Sequence, residues 1–248
     1  MGDNLKKPPL IEALCEFRFD PSSPWDWTVP GRLFDKIGQE FSERAQVQGL
    51  GVQIQIGPGP APAAHLSTGP ERVQLKRPDG SAMVQVGPNL LAVNQLRPYP
   101  QWEAFRDLIM RVFSTYRDVT DTISLSRIGL RYINQLELPE GPVQVGDFIT
   151  LKPPLVGPLD RQLQGFYQRY EILQEAPVGV LVHQTGIQKA EERRVIIVDL
   201  DFGSHEVTNL QDAGAVEAWL DSAHERVEEA FIASLNPVLY EKLKRGDV

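Results

Sequence analysis

The sequence predicts an α+β fold in which a mostly antiparallel sheet carries long amphipathic helices packed on one face. Short segments with a period of two, which is typical of strands, are separated by turn residues along the whole chain. The order strand, helix, strands, helix also occurs twice, in about residues 8–118 and 122–236, with an irregular segment in place of the first helix of the second half. No linker rich in Gly, Ser or Pro separates these halves. We therefore expect residues 1–248 to form a single domain with pseudo-two-fold halves, and two separate lobes are the alternative.

The first half contains predicted strands and two predicted helices. Leu10–Phe19 alternates between apolar and polar residues and predicts a strand with one buried side. Apolar residues at helical spacing predict a helix over Pro30–Gln46. The other predicted elements are a short strand at 52–56, a stiff loop at 57–64, strands at 72–76, 82–86 and 90–95, and a helix at 101–116.

The run Ser124–Leu138 is the longest strand-like segment and lies at the midpoint of the chain. Its core face is interrupted by Asn134 and otherwise carries Ile128, Leu130, Tyr132, Leu136 and Leu138. Its other face is polar, with Arg127 and Arg131 on either side of Gly129, where the missing side chain leaves space for another group. The arginines either pair with carboxylates on neighbouring strands, as is ordinary in sheets, or bind an anionic ligand or partner.

The second half continues with strands and ends in a long helix. Asn236-Pro237 is expected to stop that helix and leave a charged tail. The predicted elements are a short edge strand at 147–151, a loop or irregular helix at 153–163, strands at 166–173, 178–185 and 195–202, and a helix at 212–235.

Composition is that of a soluble globular protein, with 42% apolar and 23% charged residues. A net charge of −8 disfavours non-specific binding to nucleic acid, which needs clustered basic residues. The single cysteine, Cys15, excludes a disulfide framework, and we expect it to be a buried and inert thiol. The N-terminus has no secretory signal pattern and no apolar run is long enough to span a membrane, so we expect a cytoplasmic protein without a membrane partner.

The polar strand faces contain the residues that we select as a candidate site. Asp199 and Asp201 share one face of the strand 195–202 and match a DxD pattern that can bind magnesium. Because this pattern is very short, a salt-bridged strand with exposed acids is the favoured interpretation. We expect their carboxylates to lie on the same side of the sheet as Arg127 and Arg131, away from the long helices. Trp25 and Trp27, in a loop, either cover the core or anchor a partner.

Common catalytic and cofactor motifs are missing from the sequence. The four histidines are scattered, and neither a GxSxG elbow nor a phosphate-binding loop is present. The segment 57–64, GPGPAPAA, is not a phosphate-binding loop, because it lacks the Lys-Ser/Thr ending and its prolines remove backbone N–H donors. We therefore assign no catalytic residue, metal ligand or cofactor.

Three segments, PPLIEALCEFRF, NQLRPYPQWEAF and SRIGLRYINQLEL, resemble a sporadically distributed, uncharacterised family of bacterial proteins of about this length. The resemblance spans nearly the whole chain and includes an N-terminal PPxxE and a central RxGxRYxN pattern, here Pro8, Pro9, Glu12, Arg127, Gly129, Arg131, Tyr132 and Asn134. It implies no established activity. The patchy distribution of such a family implies an accessory role such as defence or a toxin–antitoxin system.

Two hypotheses on function follow. The first is a non-enzymatic binding or regulatory protein that acts through a protein partner or a homo-oligomer, with a binding surface drawn from Arg127, Arg131, Asn134, Asp199, Asp201, Trp25 and Trp27. The second is a metal-dependent phosphoryl-transfer enzyme or a nucleotide-binding protein that uses the two aspartates with the two arginines. The missing catalytic motifs favour the first.

Overall fold

The computed structural model describes residues 5–23, 25–55, 63–120, 124–151, 153, 163–190, 193–210 and 212–247. Within these residues the strands are β1 (Leu10–Phe19), β2 (Glu43–Gln55), β3 (Ala63–Lys76), β4 (Ala82–Gly87), β5 (Leu90–Leu96), β6 (Leu125–Glu137), β7 (Tyr167–Glu175), β8 (Val178–Ala190) and β9 (Arg193–Ser204). The α-helices are α1 (Val29–Ile37), α2 (Trp102–Thr120), α3 (Ala213–Ser234) and α4 (Pro237–Arg245).

All nine described strands form one antiparallel sheet in the order β2-β3-β4-β5-β1-β6-β9-β8-β7. The two halves of the chain meet where β1 pairs with β6, so the sheet is continuous across them. The predicted α+β class and the mostly antiparallel sheet are confirmed. The central strand is confirmed as well, since β6 falls within the predicted range.

The long helices cover one side of the sheet. Phe113 of α2 stacks on Phe17 of β1, with ring centroids 4.4 Å apart, and Trp219 of α3 packs on Phe202 of β9 at 5.6 Å. Asp212 caps α3 by accepting a hydrogen bond from the Ala215 backbone N–H at 2.8 Å. The apolar core side chains of β1, β6 and β9, among them Phe17, Tyr132 and Phe202, point to this helix-covered side and form the core with the helices.

Three predicted elements differ from the structure. The first helix ends at Ile37 rather than at residue 46, and residues 43–46 belong to β2, which also includes most of the predicted strand 52–56. Residues 147–151 are not an edge strand, because a 3-10 turn at Val145–Asp147 is followed by a single bridge between Ile149 and Leu235. The charged tail contains α4, whose start is capped by Asn236 and whose C-cap is Gly246 with a positive φ of 79°.

Two predictions fall mostly outside the described residues. They are the stiff loop at 57–64, of which residues 63 and 64 begin β3, and the segment 153–163.

Candidate functional site

The side of the sheet opposite the helices, here called the open face, carries six charged side chains at its centre. This ionic cluster consists of Glu16, Arg18, Arg127, Arg131, Asp199 and Asp201, contributed by β1, β6 and β9. Acidic and basic groups alternate across the strands, so the expectation that both aspartates share a side with both arginines is confirmed.

Arg131 and Asp199 form the tightest pair of the cluster. The Arg131 Nε donates to Asp199 Oδ1 at 2.8 Å and Nη2 donates to Oδ2 at 2.6 Å, which is a two-point contact between planar groups. The Asp199 side chain is only 11% exposed and also accepts a hydrogen bond from Gln184 at 3.3 Å. The hydrogen bonds to Asp199 raise the pKa of Arg131, because they stabilise its charged form.

The guanidinium group of Arg127 lies flat over two glycines. A Cβ atom at Gly203 would be 2.6 Å from Arg127 Nη2, and one at Gly129 would be 2.9 Å from Nη1. The space that Gly129 leaves is therefore filled by the arginine two residues before it. From this position Arg127 donates to Glu16 at 3.1 Å and lies 3.5 Å from the carboxylate of Asp201.

Asp199 and Asp201 have different environments although they are two residues apart on one strand face. Burial raises the pKa of Asp201, and the charges of Arg127 and Arg131 only partly oppose that shift. Each carboxylate faces a guanidinium group, and no cluster of three or more His, Cys, Asp or Glu side chains that could hold a metal occurs among the described residues. Magnesium would have to displace an arginine to bind here.

The cluster borders a depression of about 530 Å³ on the open face. Its lining includes Arg72 of β3 and Gln85 of β4, which sequence reasoning did not select. The predicted strand at 72–76 contains Arg72, but the prediction did not show that this residue lies near Arg18 of β1. A second depression, of about 840 Å³, lies against α4 and contains none of the residues selected from the sequence.

The other selected residues lie away from the ionic cluster. Asn134 is fully buried on the helix-covered side, where its Nδ2 donates to the Val198 carbonyl at 3.3 Å. Trp25 packs against the core, as expected for a covering residue, whereas Trp27 is 55% exposed and meets Trp25 edge-on at 6.0 Å.

Two of the three segments that carry the family resemblance, NQLRPYPQWEAF and SRIGLRYINQLEL, meet at a buried histidine on the helix-covered side. The hydroxyl of Tyr132 lies 3.1 Å from His224 Nδ1 and 3.1 Å from the hydroxyl of Tyr99. Trp102 stacks on the His224 ring at 4.2 Å. Burial lowers the pKa of His224 to about 3, so the ring is neutral in the folded protein near neutral pH.

Strand β7 forms one edge of the sheet and exposes apolar side chains on both of its faces. Leu173 is 83% exposed, while Tyr167, Tyr170 and Ile172 are between 41% and 47% exposed. Within the described part of the chain β7 pairs only with β8, so the backbone groups along its other edge have no strand partner there. Sequence analysis predicted this strand but gave no signal that it ends the sheet.

Comparisons with known proteins give little further guidance. No family model and no curated protein matches the chain. Among solved structures, Methanococcus jannaschii TBP aligns with 10% identity over 87% of this chain and 97% of that chain, with a TM-score of 0.28. A score this low supports no conclusion on fold or function. Within the described residues, none of the helices is both long and apolar enough to cross a membrane.

Proposed function

We propose that the protein is a non-enzymatic binding protein that acts by adding a partner's strand to its sheet at β7. The observation that carries this proposal is the exposed apolar character of an outer strand of nine residues. Sheet edges of this kind pair readily with another chain, because their backbone N–H and C=O groups need partners and their apolar side chains gain from burial.

At the opposite edge of the sheet, the described side chains of β2 are those of residues 43–48, and most of them are polar. Glu43, Arg44, Gln46 and Gln48 of β2 are exposed and polar. Strand β7 also has charged residues, but it exposes Tyr167, Tyr170, Ile172 and Leu173 beside them. The difference between the two edges supports a binding role for β7.

A second copy of this chain is the partner that the side chains of β7 fit best. In an antiparallel pair with the two-fold axis at Tyr170, Arg169 lies opposite Glu171 of the other copy, which places opposite charges together twice. Tyr167 then lies opposite Leu173, and the two Tyr170 rings lie side by side. Axes at Arg169 or Glu171 would instead place like charges directly opposite each other.

Light scattering after size exclusion tests the binding role. We expect a concentration-dependent dimer whose dissociation constant rises at least tenfold in Leu173→Lys, because a charge would be buried in the new pair. Val238→Lys, which places the same charge at an apolar residue of α4 that is 66% exposed, is the control and is expected to change nothing. Equal effects of the two variants would contradict the proposal.

A single introduced cysteine tests the register, since Cys15 is buried and is the only native thiol. On mild oxidation Tyr170→Cys is expected to form a covalent dimer, because Cβ atoms of opposed residues are about 5 Å apart. Ile172→Cys, on the same strand face, would lie opposite Gln168 and is expected to stay monomeric. If the protein is instead monomeric and binds a different protein through Leu173, the binding role stands, but a second copy of this chain is refuted as the partner.

We also propose an accessory bacterial setting, such as defence or a toxin–antitoxin system, on the family resemblance alone. The phosphoryl-transfer hypothesis is the weaker candidate, because each of its two carboxylates already faces a guanidinium group.

A further inference from the structure

Guanidinium groups outnumber nearby carboxylates at one end of the open-face depression. Its lining contains Arg18, Arg72, Arg127 and Arg131 but only two carboxylates, those of Glu16 and Asp201. Asp199, just outside the lining, is held by Arg131. The excess positive charge is therefore located on the side formed by Arg18 and Arg72.

Arg18, Arg127 and Arg131 have ion-pair partners within the protein. Glu16 accepts two hydrogen bonds from Arg18, at 2.8 and 3.0 Å, and a third from Arg127 at 3.1 Å. The Glu16 carboxylate therefore accepts hydrogen bonds from two guanidinium groups, and neither of these groups belongs to Arg72.

Arg72 is the exception among the four arginines. Within the described residues it makes no ion pair, and its Nε atom is buried without an acceptor. A Cβ atom at Gly87 would lie 3.2 Å from Arg72 Cγ, so the arginine crosses β4 at a position that lacks a side chain. Burial and the charge of Arg18 lower the pKa of Arg72, and the charge of Glu16 only partly opposes that shift.

We propose that Arg72 and Arg18 form a binding site for the phosphate group of a small phosphate ester that occupies the open-face depression. Guanidinium groups suit this role because their planar donors match the oxygens of phosphate. The depression, at about 530 Å³, has the size of a small-molecule site. The carboxylates of Glu16 and Asp201 are placed to accept hydrogen bonds from hydroxyl groups of the ligand, which favours a sugar phosphate. This site is independent of the pairing at β7.

Calorimetric titration with ribose 5-phosphate, and with unphosphorylated ribose as the comparison, tests the site. We expect binding of the phosphate ester only, weakening as salt concentration rises. Arg72→Gln is expected to weaken it at least tenfold, and Arg72→Lys to give an intermediate loss, because the charge is kept but the planar donors are lost. Arg32→Gln, at an exposed arginine of α1, is the control and is expected to bind normally.

Thermal unfolding of the same variants separates binding from folding. Arg72→Gln is expected to be at least as stable as the parent without ligand, because it removes a like charge next to Arg18. Ribose 5-phosphate should raise the melting temperature of the parent but not of Arg72→Gln. The proposal would be overturned if neither ribose 5-phosphate nor inorganic phosphate gave a heat of binding up to about 10 mM. Equal losses of affinity in Arg72→Gln and Arg32→Gln would overturn it as well.

Discussion

Replacing Asp199 by asparagine tests how strongly the ionic cluster holds the centre of the sheet. The substitution keeps the shape of the side chain but removes its charge and turns one acceptor into a donor aimed at Arg131. Both hydrogen bonds of the pair, at 2.6 and 2.8 Å, are lost or weakened at once.

The size of the effect follows from the exposure of the two groups. Breaking a fully buried ion pair costs about 3–5 kcal/mol, whereas an exposed pair contributes about 0–1 kcal/mol. The Asp199 side chain is 11% exposed and that of Arg131 is 37% exposed. In the variant, water can therefore hydrate part of the unpaired Arg131 guanidinium group. We expect Asp199→Asn to lower the free energy of unfolding by about 2 kcal/mol, between those limits.

Urea unfolding followed by tryptophan fluorescence measures this change, because Trp102 and Trp219 are buried in the core. Asp201→Asn is the matched control on the same strand face and is expected to change stability by less than about 0.5 kcal/mol, since burial already disfavours its charged form. The double variant Arg131→Met/Asp199→Leu should recover stability to within about 1 kcal/mol of the parent. Equal losses for the two asparagine variants would refute the assignment of the pair as the tight contact.

Two further predictions concern the helix-covered side and the strand packing. The pKa of His224 falls from 6.5 in the unfolded chain to about 3 in the folded protein, so the unfolded chain binds the proton more tightly. The free energy of unfolding is therefore highest above pH 6.5, where the ring is neutral in both states. It decreases as pH falls towards 3, by up to about 5 kcal/mol. His224→Gln should flatten this part of the pH dependence of the free energy of unfolding, and an unchanged pH dependence in that variant would contradict the assignment. Gly179→Ala should lower the free energy of unfolding in urea by about 1–3 kcal/mol, because its Cβ would lie 2.6 Å from the Gly203 carbonyl oxygen. The control Gly31→Ala in α1, where a Cβ would have nothing within 4 Å, should not destabilise the protein. An unchanged stability of Gly179→Ala would contradict the close approach of the two strands.

The centre of the sheet could be predicted because its signals are local. The alternation of apolar and polar residues in Ser124–Leu138 predicted which side chains face the core. The same alternation around Asp199 and Asp201 predicted that their carboxylates lie on the side of the sheet away from the helices. Which carboxylate pairs with which arginine could not be predicted, because Arg131 lies opposite Asp201 yet binds its neighbour Asp199.

The errors arose where partners distant in sequence decide the structure. Phe41 is buried and continues the apolar spacing of α1, although the helix has already ended at Ile37. The residues that follow are polar and become a strand because they pair with β3. In contrast, α4 carries clear local signals, an Asn cap, Pro237 at its first turn and Gly246 after its end. Asn236-Pro237 was interpreted only as the stop of the preceding helix, and Gly246 was not used.

The unlike edges of the sheet limit how large an assembly it can build. If two copies join at β7, the merged sheet ends on both sides in β2, which exposes Glu43, Arg44, Gln46 and Gln48 in its described part, and such side chains discourage further growth. Because such a contact uses the same strand in both copies, it closes on itself and leaves no second β7 edge to propagate a filament. Under the proposed pairing, strand addition at β7 is therefore a single closed step.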